Sequence, residues 1–157
     1  MSPEREVLEL LARYVRAVDR GNGYALRELF TQDGVISVFS NSNGHWVLAV
    51  EIQGIEDIVS HIANLANSGS QKGWSHHTTH DQITRVFGDF ATIDAQFIRF
   101  DAQGHKRPGD GWPLGSAGVM GHVNVFEAGC YFPSFRRMNG EWKIVIQRIY
   151  HDLPFVV

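Results

Sequence analysis

The sequence has little of what marks several common classes of protein. Its 157 residues include a single cysteine, Cys130, so no disulfide can form within the chain, which suits a reducing cytoplasm. No apolar run approaches the roughly 18 residues of a transmembrane helix. Basic residues form no run and the formal net charge is -3, which argues against nucleic acid and anionic membranes as partners. We therefore expect a cytoplasmic protein that binds neither.

Several catalytic signatures are missing as well. The chain contains no G-x-S-x-G elbow, phosphate-binding loop or dinucleotide fingerprint, and its acidic N-terminal stretch is unlike a signal peptide. What remains is an ordinary globular balance, with 43% apolar and 20% charged residues. A chain of this length can bury a real core, so we expect residues 1–157 to form a single domain.

Helical and strand patterns occupy different parts of the chain. The spacing of apolar residues predicts helices over 2–22, 24–30 and 54–70, with a hairpin between the last two. Four long strands follow, interrupted by a loop over 101–118 that is rich in glycine and proline. Strands that follow helices in this way indicate an α+β fold. We predict a cone-shaped, strongly curved antiparallel sheet packed on three N-terminal helices, with a pocket between the two layers.

The stretch SHHTTHDQI, residues 75–83, holds three of the eight histidines within five positions. Such crowding is typical of a metal site, but the threonines and the β-rich continuation favour a strand. A rise of about 3.3 Å per residue then separates His76 from His80 by roughly 13 Å. A zinc ion needs its ligand nitrogens at about 2 Å, so one strand cannot supply both to one metal. We expect no metal site.

A strand also sorts these histidines onto two faces. We expect His76, Thr78, His80 and Gln82 on one face. His77, Thr79 and Asp81 lie on the other, where His77 points outward or into an interface and has no catalytic role. Four polar residues on one face of a central strand favour a pocket wall. The alternative is a solvent-exposed polar strand without chemistry.

Asp19 ends the first helix and extends an apolar stripe of Leu8, Leu11 and Val15, which predicts that its carboxylate points inward. It lies at the negative end of the helix dipole, so a cation or hydrogen-bond donor has to compensate it. A pocket histidine is the natural compensator, and a carboxylate that orients a histidine is a recurrent device for proton abstraction. The alternative is an aspartate bonded to nearby backbone around Gly21.

Other polar residues are weaker candidates for the same pocket. Tyr14 lies on the core stripe of the first helix, where it could place its hydroxyl in the cavity or serve as a core residue. His122 shares a face of the third long strand with Asn124. Tyr131 has the opposite parity, unless a bulge shifts the register.

The chain resembles a known family. The carriers of the resemblance are YVRAVDRGNGYALRELFTQDGVI (14–36), IQGIEDI (52–58), HTTHDQITRVFGDFA (77–91) and YFPSFRRMNGEWKI (131–144). Their order and spacing look like the SnoaL-like proteins of the nuclear transport factor 2-like superfamily, which include polyketide cyclases, scytalone dehydratase and hexachlorocyclohexane dehydrochlorinase. The resemblance covers nearly the whole chain. It implies a cone-shaped α+β barrel, a homodimer formed through the sheet, and neither metal nor organic cofactor.

The resemblance also implies a site. Asp19 matches the aspartate that ends the first helix, and His76 matches the histidine of an H-x-x-x-N pattern in which His80 replaces the asparagine. We therefore predict a cofactor-independent lyase or isomerase of the dehydratase or cyclase type, in which His76, held by Asp19, takes a proton from a hydrophobic, oxygenated small molecule. The predicted substrate-binding residues are Tyr14, His80, Tyr131 and His122. The alternative is a non-catalytic small-molecule-binding or assembly module with the same fold.

Overall fold

The fold combines two α-helices, one 3₁₀ helix and six strands in the residues described by a computed structural model, 1–67 and 74–156. In chain order these are α1 (Pro3–Asp19), the 3₁₀ helix (Gly23–Glu28), β1 (Phe30–Ser42), β2 (His45–Gln53), α2 (Ile55–Asn67), β3 (Trp74–Phe87), β4 (Phe90–Gly104), β5 (Gly121–Met138) and β6 (Glu141–His151).

All six strands form one curved, unclosed sheet in the order β2-β1-β6-β5-β4-β3. Neighbouring strands are antiparallel except β1 and β6, which run parallel. Every pair carries a register shift, and such bulges bend the strands around the helices. The predicted α+β class and curved sheet are confirmed, with one parallel pair that the sequence did not indicate.

Local chemistry explains where α1 begins and ends. The Ser2 hydroxyl accepts a hydrogen bond from the Arg5 backbone N–H at 3.4 Å, and Pro3 occupies the first turn. Gly21, just beyond the helix, has φ of +61°, a conformation that glycine adopts without steric cost. The helix therefore stops with Asp19 as its last residue.

The core lies between the helices and the concave face of the sheet. From α1, Val7, Leu11 and Tyr14 are buried, and α1 packs chiefly against β3. Trp142, near the start of β6, is buried as well. Other core side chains come from α2 and the central strands: Ile58, Ile62, Ile93, Phe97, Phe135 and Ile144. None of the helices in the described residues is long and apolar enough to cross a membrane.

Two of the predicted elements differ from expectation. The second predicted helix is a single 3₁₀ element, and residues 68–70, where the third was expected to end, lie outside the described residues. The predicted loop over 101–118 is shorter at its start, because β4 and β5 continue as a paired arm to Gly104 and Gly121. A Cβ at Gly121 would lie 2.3 Å from the Gln103 carbonyl oxygen, so this close pairing requires glycine.

Candidate active site

Asp19 is held at the end of α1 by donors from β3. Its carboxylate accepts the backbone N–H of His77 at 3.0 Å and the Ser75 hydroxyl at 3.4 Å. The ring Nδ1 of His77 lies 2.5 Å from Oδ1. An ionised carboxylate can only accept, so Nδ1 carries the proton in this contact. These donors offset the unfavourable position of an anion at the negative end of the helix dipole.

The histidine that meets Asp19 is therefore His77, and the predicted pairing of Asp19 with His76 is wrong. His77 was expected to point outward, yet its side chain is only 8% exposed. His76 lies on the exposed face of β3. The two residues have exchanged the faces that the sequence suggested.

A bulge in β3 accounts for this exchange. Between His80 and Ile83 the strand contains one residue more than β4, and Asp81 has φ of +52°. The extra residue reverses the alternation of side chains. Odd-numbered residues before the bulge therefore lie on the same face as the even-numbered Val86 after it, which packs against the core.

His80 sits at the bulge and away from the Asp19–His77 pair. It is paired with the exposed Gln96 on the outer face of the sheet. Its Nδ1 contacts the Asp81 carboxylate at 3.2 Å. The structure does not bring this predicted substrate-binding residue to the pair.

A second carboxylate approaches His77 from the other side. His77, Arg99 and Glu127 are direct cross-strand neighbours in one row across β3, β4 and β5. The Glu127 Oε1 atom lies 3.8 Å from Nε2 of His77 and 3.7 Å from Nη1 of Arg99. Phe126 is an extra residue in β5 at the shift beside Arg99, so a bulge sets the direction of Glu127 here also.

The other oxygen of Glu127 contacts a second histidine. His151, at the end of β6, places Nδ1 3.2 Å from Oε2. Its ring is stacked on Phe155 at 4.6 Å and packed edge-on against Phe97 at 6.0 Å. The imidazole is buried and held in one orientation by these aromatic contacts.

Arg99 completes the polar row. Its Nε atom lies 3.1 Å from the Asp101 carboxylate, while its other end contacts Glu127. Within the described part of the chain, no three histidine, cysteine, aspartate or glutamate side chains are placed to hold a metal ion.

The contacts of His77 and Glu127 determine the directions in which their pKa values shift. Burial is the largest influence on the pKa of His77 and lowers it, but the contacts with Asp19 and Glu127 outweigh it and raise the pKa above its ordinary 6.5. Burial likewise acts to raise the pKa of Glu127. Contacts with His151 and His77, together with the charge of Arg99, reverse this and hold that pKa far below 4.5.

Two buried tyrosines, Tyr14 and Tyr131, lie on the core side of the Asp19–His77 pair. Tyr131 is stacked on Phe97 at 4.4 Å, and its ring centre lies 6.1 Å from those of His77 and Tyr14. Burial raises the pKa of both phenols well above 10, and the negative charge of Asp19 adds to this effect. Both hydroxyls therefore remain protonated hydrogen-bond donors at neutral pH.

His122 is not brought to this cluster. The Phe126 bulge does place it on the same face as Tyr131, the register shift that the sequence left open. However, His122 lies farther along the β4–β5 arm, where it is exposed and its ring is 6.1 Å from that of His105.

Two cavities lie elsewhere on the molecule. An open groove of about 680 Å³ beside α1 is lined by Leu10, Arg13 and Trp142 among others. A second of about 330 Å³ is lined by residues that include Arg16 and Leu29. Neither is lined by the Asp19–His77 pair.

A curved sheet packed on N-terminal helices is the architecture of solved structures described as nuclear transport factor 2-like proteins with a cystatin-like fold. The chain belongs to the SnoaL-like domain family, whose model matches residues 1–148. Among curated proteins, none matches the chain significantly.

Solved structures with the same fold carry varied descriptions. One is the β subunit of a candidate aromatic-ring-hydroxylating dioxygenase from Novosphingobium aromaticivorans, with 15% identity, a TM-score of 0.70, and coverage of 98% of this chain and 92% of that one. A candidate dehydratase of the nuclear transport factor 2-like family from Streptomyces avermitilis has 16% identity, a TM-score of 0.62, and coverage of 98% and 96%. A candidate scytalone dehydratase from Novosphingobium aromaticivorans has 12% identity, a TM-score of 0.64, and coverage of 98% and 86%.

Proposed function

We propose that the protein is a cofactor-independent lyase or isomerase of the dehydratase or cyclase type, acting on a hydrophobic, oxygenated small molecule. His77, oriented by Asp19, is the general base. The observation that carries this proposal is the buried 2.5 Å contact between Nδ1 of His77 and the Asp19 carboxylate. It leaves Nε2 unprotonated in the neutral ring, so this nitrogen can accept a proton.

The base acts on a carbon acid next to a carbonyl or similar electron-withdrawing group. Nε2 takes the proton, and the electron pair of the broken C–H bond stays on the substrate as an enolate or a new double bond. Asp19 stabilises the imidazolium that forms. Tyr14 and Tyr131, which keep their phenolic protons, are suited to donate a hydrogen bond to the substrate oxygen.

Hydrogen–deuterium exchange tests this role without knowledge of the natural substrate. β-Tetralone is a cyclic, apolar ketone whose α-protons exchange in D₂O at a rate that proton NMR measures. We expect the wild-type chain to accelerate this exchange, and His77→Ala to reduce the acceleration by roughly 10²–10⁴-fold, the usual contribution of a general base.

His76→Ala is the matched control, since it removes a neighbouring histidine from the exposed face of the same strand. It should retain wild-type exchange. Exchange at the buffer rate with wild-type protein, or equal losses in the two variants, would go against a His77 base. Circular dichroism of both variants separates lost chemistry from lost folding.

The competing function is a non-catalytic binding or assembly module. It is favoured by the two cavities, neither of which is lined by Asp19 or His77. Chemical-shift changes at the His77 ring upon β-tetralone addition distinguish the two functions. Binding next to His77 with exchange supports the enzyme, whereas binding elsewhere without exchange supports the module.

A further inference from the structure

Glu127 has no part in the Asp19–His77 pair, yet it contacts both imidazoles that the fold buries beside it. One oxygen faces Nε2 of His77 at 3.8 Å and the other faces Nδ1 of His151 at 3.2 Å. The carboxylate is 13% exposed, so water screens these contacts little. A buried carboxylate between two imidazoles is suited to position both rings.

The protonation of Nε2 in His77 determines whether its contact with Glu127 is repulsive or attractive. With its proton on Nδ1 for Asp19, a neutral His77 presents the lone pair of Nε2 to an ionised Glu127, which is repulsive. A proton on Nε2 turns the same contact into an attraction. Glu127 therefore favours the imidazolium, which is the state that follows proton abstraction.

Charged groups from every surrounding element agree with this. α1 contributes Asp19, β4 contributes Arg99 and Asp101, and β5 contributes Glu127. The buried phenols of the cluster, on α1 and β5, keep their protons and carry no charge. The three carboxylates meet one guanidinium, so the charged groups around His77 are negative on balance and favour its protonated form.

We propose that Glu127 is a positioning residue for His77: His151 anchors one of its carboxylate oxygens, and the other oxygen faces Nε2 of His77 and stabilises the imidazolium. The proposal rests on the proposed function in assigning the base to His77. It adds a partner on the opposite ring nitrogen and a second histidine that fixes the position of that partner.

The proton balance is as follows. The C–H bond of the substrate breaks, its electrons remain on carbon, and the proton passes to Nε2 of His77. The Glu127 carboxylate, whose Oε1 atom lies 3.8 Å from Nε2, stabilises the positive charge that results. In a dehydration the departing hydroxide takes this proton and leaves as water, and in an isomerisation the proton returns to another carbon. Either way His77 is neutral again at the end of the cycle.

Histidine titration by NMR tests the coupling in the full chain. Long-range proton–nitrogen correlations of ¹⁵N-histidine-labelled protein follow each ring from about pH 5 to 8. In Glu127→Gln we expect the titration midpoint of His77 to fall by roughly one pH unit, because a neighbouring anion is lost. Glu141→Gln is the control: it makes the same change at an exposed carboxylate at the start of β6, and the His77 midpoint should stay in place.

A second variant tests the link itself. His151→Phe keeps an aromatic ring against Phe155 but removes the Nδ1 atom that contacts Glu127. We expect the His77 midpoint to rise in the wild-type background and to stay unchanged in the Glu127→Gln background, as a double-mutant cycle through Glu127 requires.

Two results would overturn the proposal. One is an unchanged His77 midpoint in Glu127→Gln, and the other is an unchanged His77 midpoint in His151→Phe. Should Glu127→Gln fail to fold, Glu127→Asp keeps the charge with a shorter reach and should lower the His77 midpoint by less than one unit. An unchanged His77 midpoint in that variant counts against the proposal. Because titration needs no turnover, a His77 midpoint that depends on Glu127 in a chain without β-tetralone exchange would refute the proposed function alone.

Discussion

At the scale of the residue, Asp81 decides which histidine of β3 reaches Asp19. Its backbone has φ of +52° at the bulge, a conformation that aspartate and asparagine tolerate and β-branched residues do not. The side chain is exposed and its contact with His80 is local. Asp81 therefore stabilises the fold mainly through its backbone conformation.

Replacement of Asp81 separates the backbone effect from the side-chain effect. We expect Asp81→Val to lower the free energy of unfolding by about 1–2 kcal/mol, the usual cost of a left-handed conformation for such a residue. Asp81→Asn should be nearly neutral, because asparagine accepts this conformation. Urea denaturation of both variants gives the comparison, and equal losses would mean that the carboxylate, not the backbone, stabilises the bulge.

At the scale of the element, the helices and strands could be predicted because their signals are local. The apolar stripe of α1, its Ser2 cap and the terminal Asp19 all lie within one run of sequence. The faces of β3 could not be predicted, because one extra residue reverses the alternation that assigns them. His77 was thus taken for an outward residue while His76 was favoured as the base.

The contact between Glu127 and His151 could not be predicted from the sequence near either residue. The two residues are 24 positions apart and meet because Gly129 of β5 lies opposite His151 in the register of β5 and β6. Only the pairing of whole strands brings them together. A lone glutamate within NVFEAGCYF, where apolar residues predominate, was the one hint that the sequence offered.

At the scale of the whole molecule, we expect a homodimer formed through the outer face of the sheet. Val123, Val125 and Ile83 are more than half exposed there. Sedimentation equilibrium should give twice the chain mass of 17.7 kDa, and Val125→Asp should shift the protein towards the monomer. Leu114→Asp, in the exposed β4–β5 connection, is the matched control and should remain dimeric. A wild-type monomer would contradict this expectation.

The pH dependence of stability is a property of the whole molecule. The two groups that chiefly determine it, His77 and Glu127, each contact residues of several elements. The raised pKa of His77 means that its protonation stabilises the fold fully below the unfolded value of 6.5, and that this contribution is lost as the pH rises through the folded pKa. The lowered pKa of Glu127 contributes above 4.5 and is lost as the pH falls below it. Both contributions are present together between these two values.

We therefore expect the free energy of unfolding, measured by urea denaturation, to decline above pH 6.5. Between the unfolded and folded pKa of His77 the slope is about 1.4 kcal/mol per pH unit. His77→Gln should flatten this decline, because the titrating group is gone, while His76→Gln on the exposed face should leave it intact. The same decline in both variants would show that a group other than His77 titrates over this pH range and causes the loss of stability.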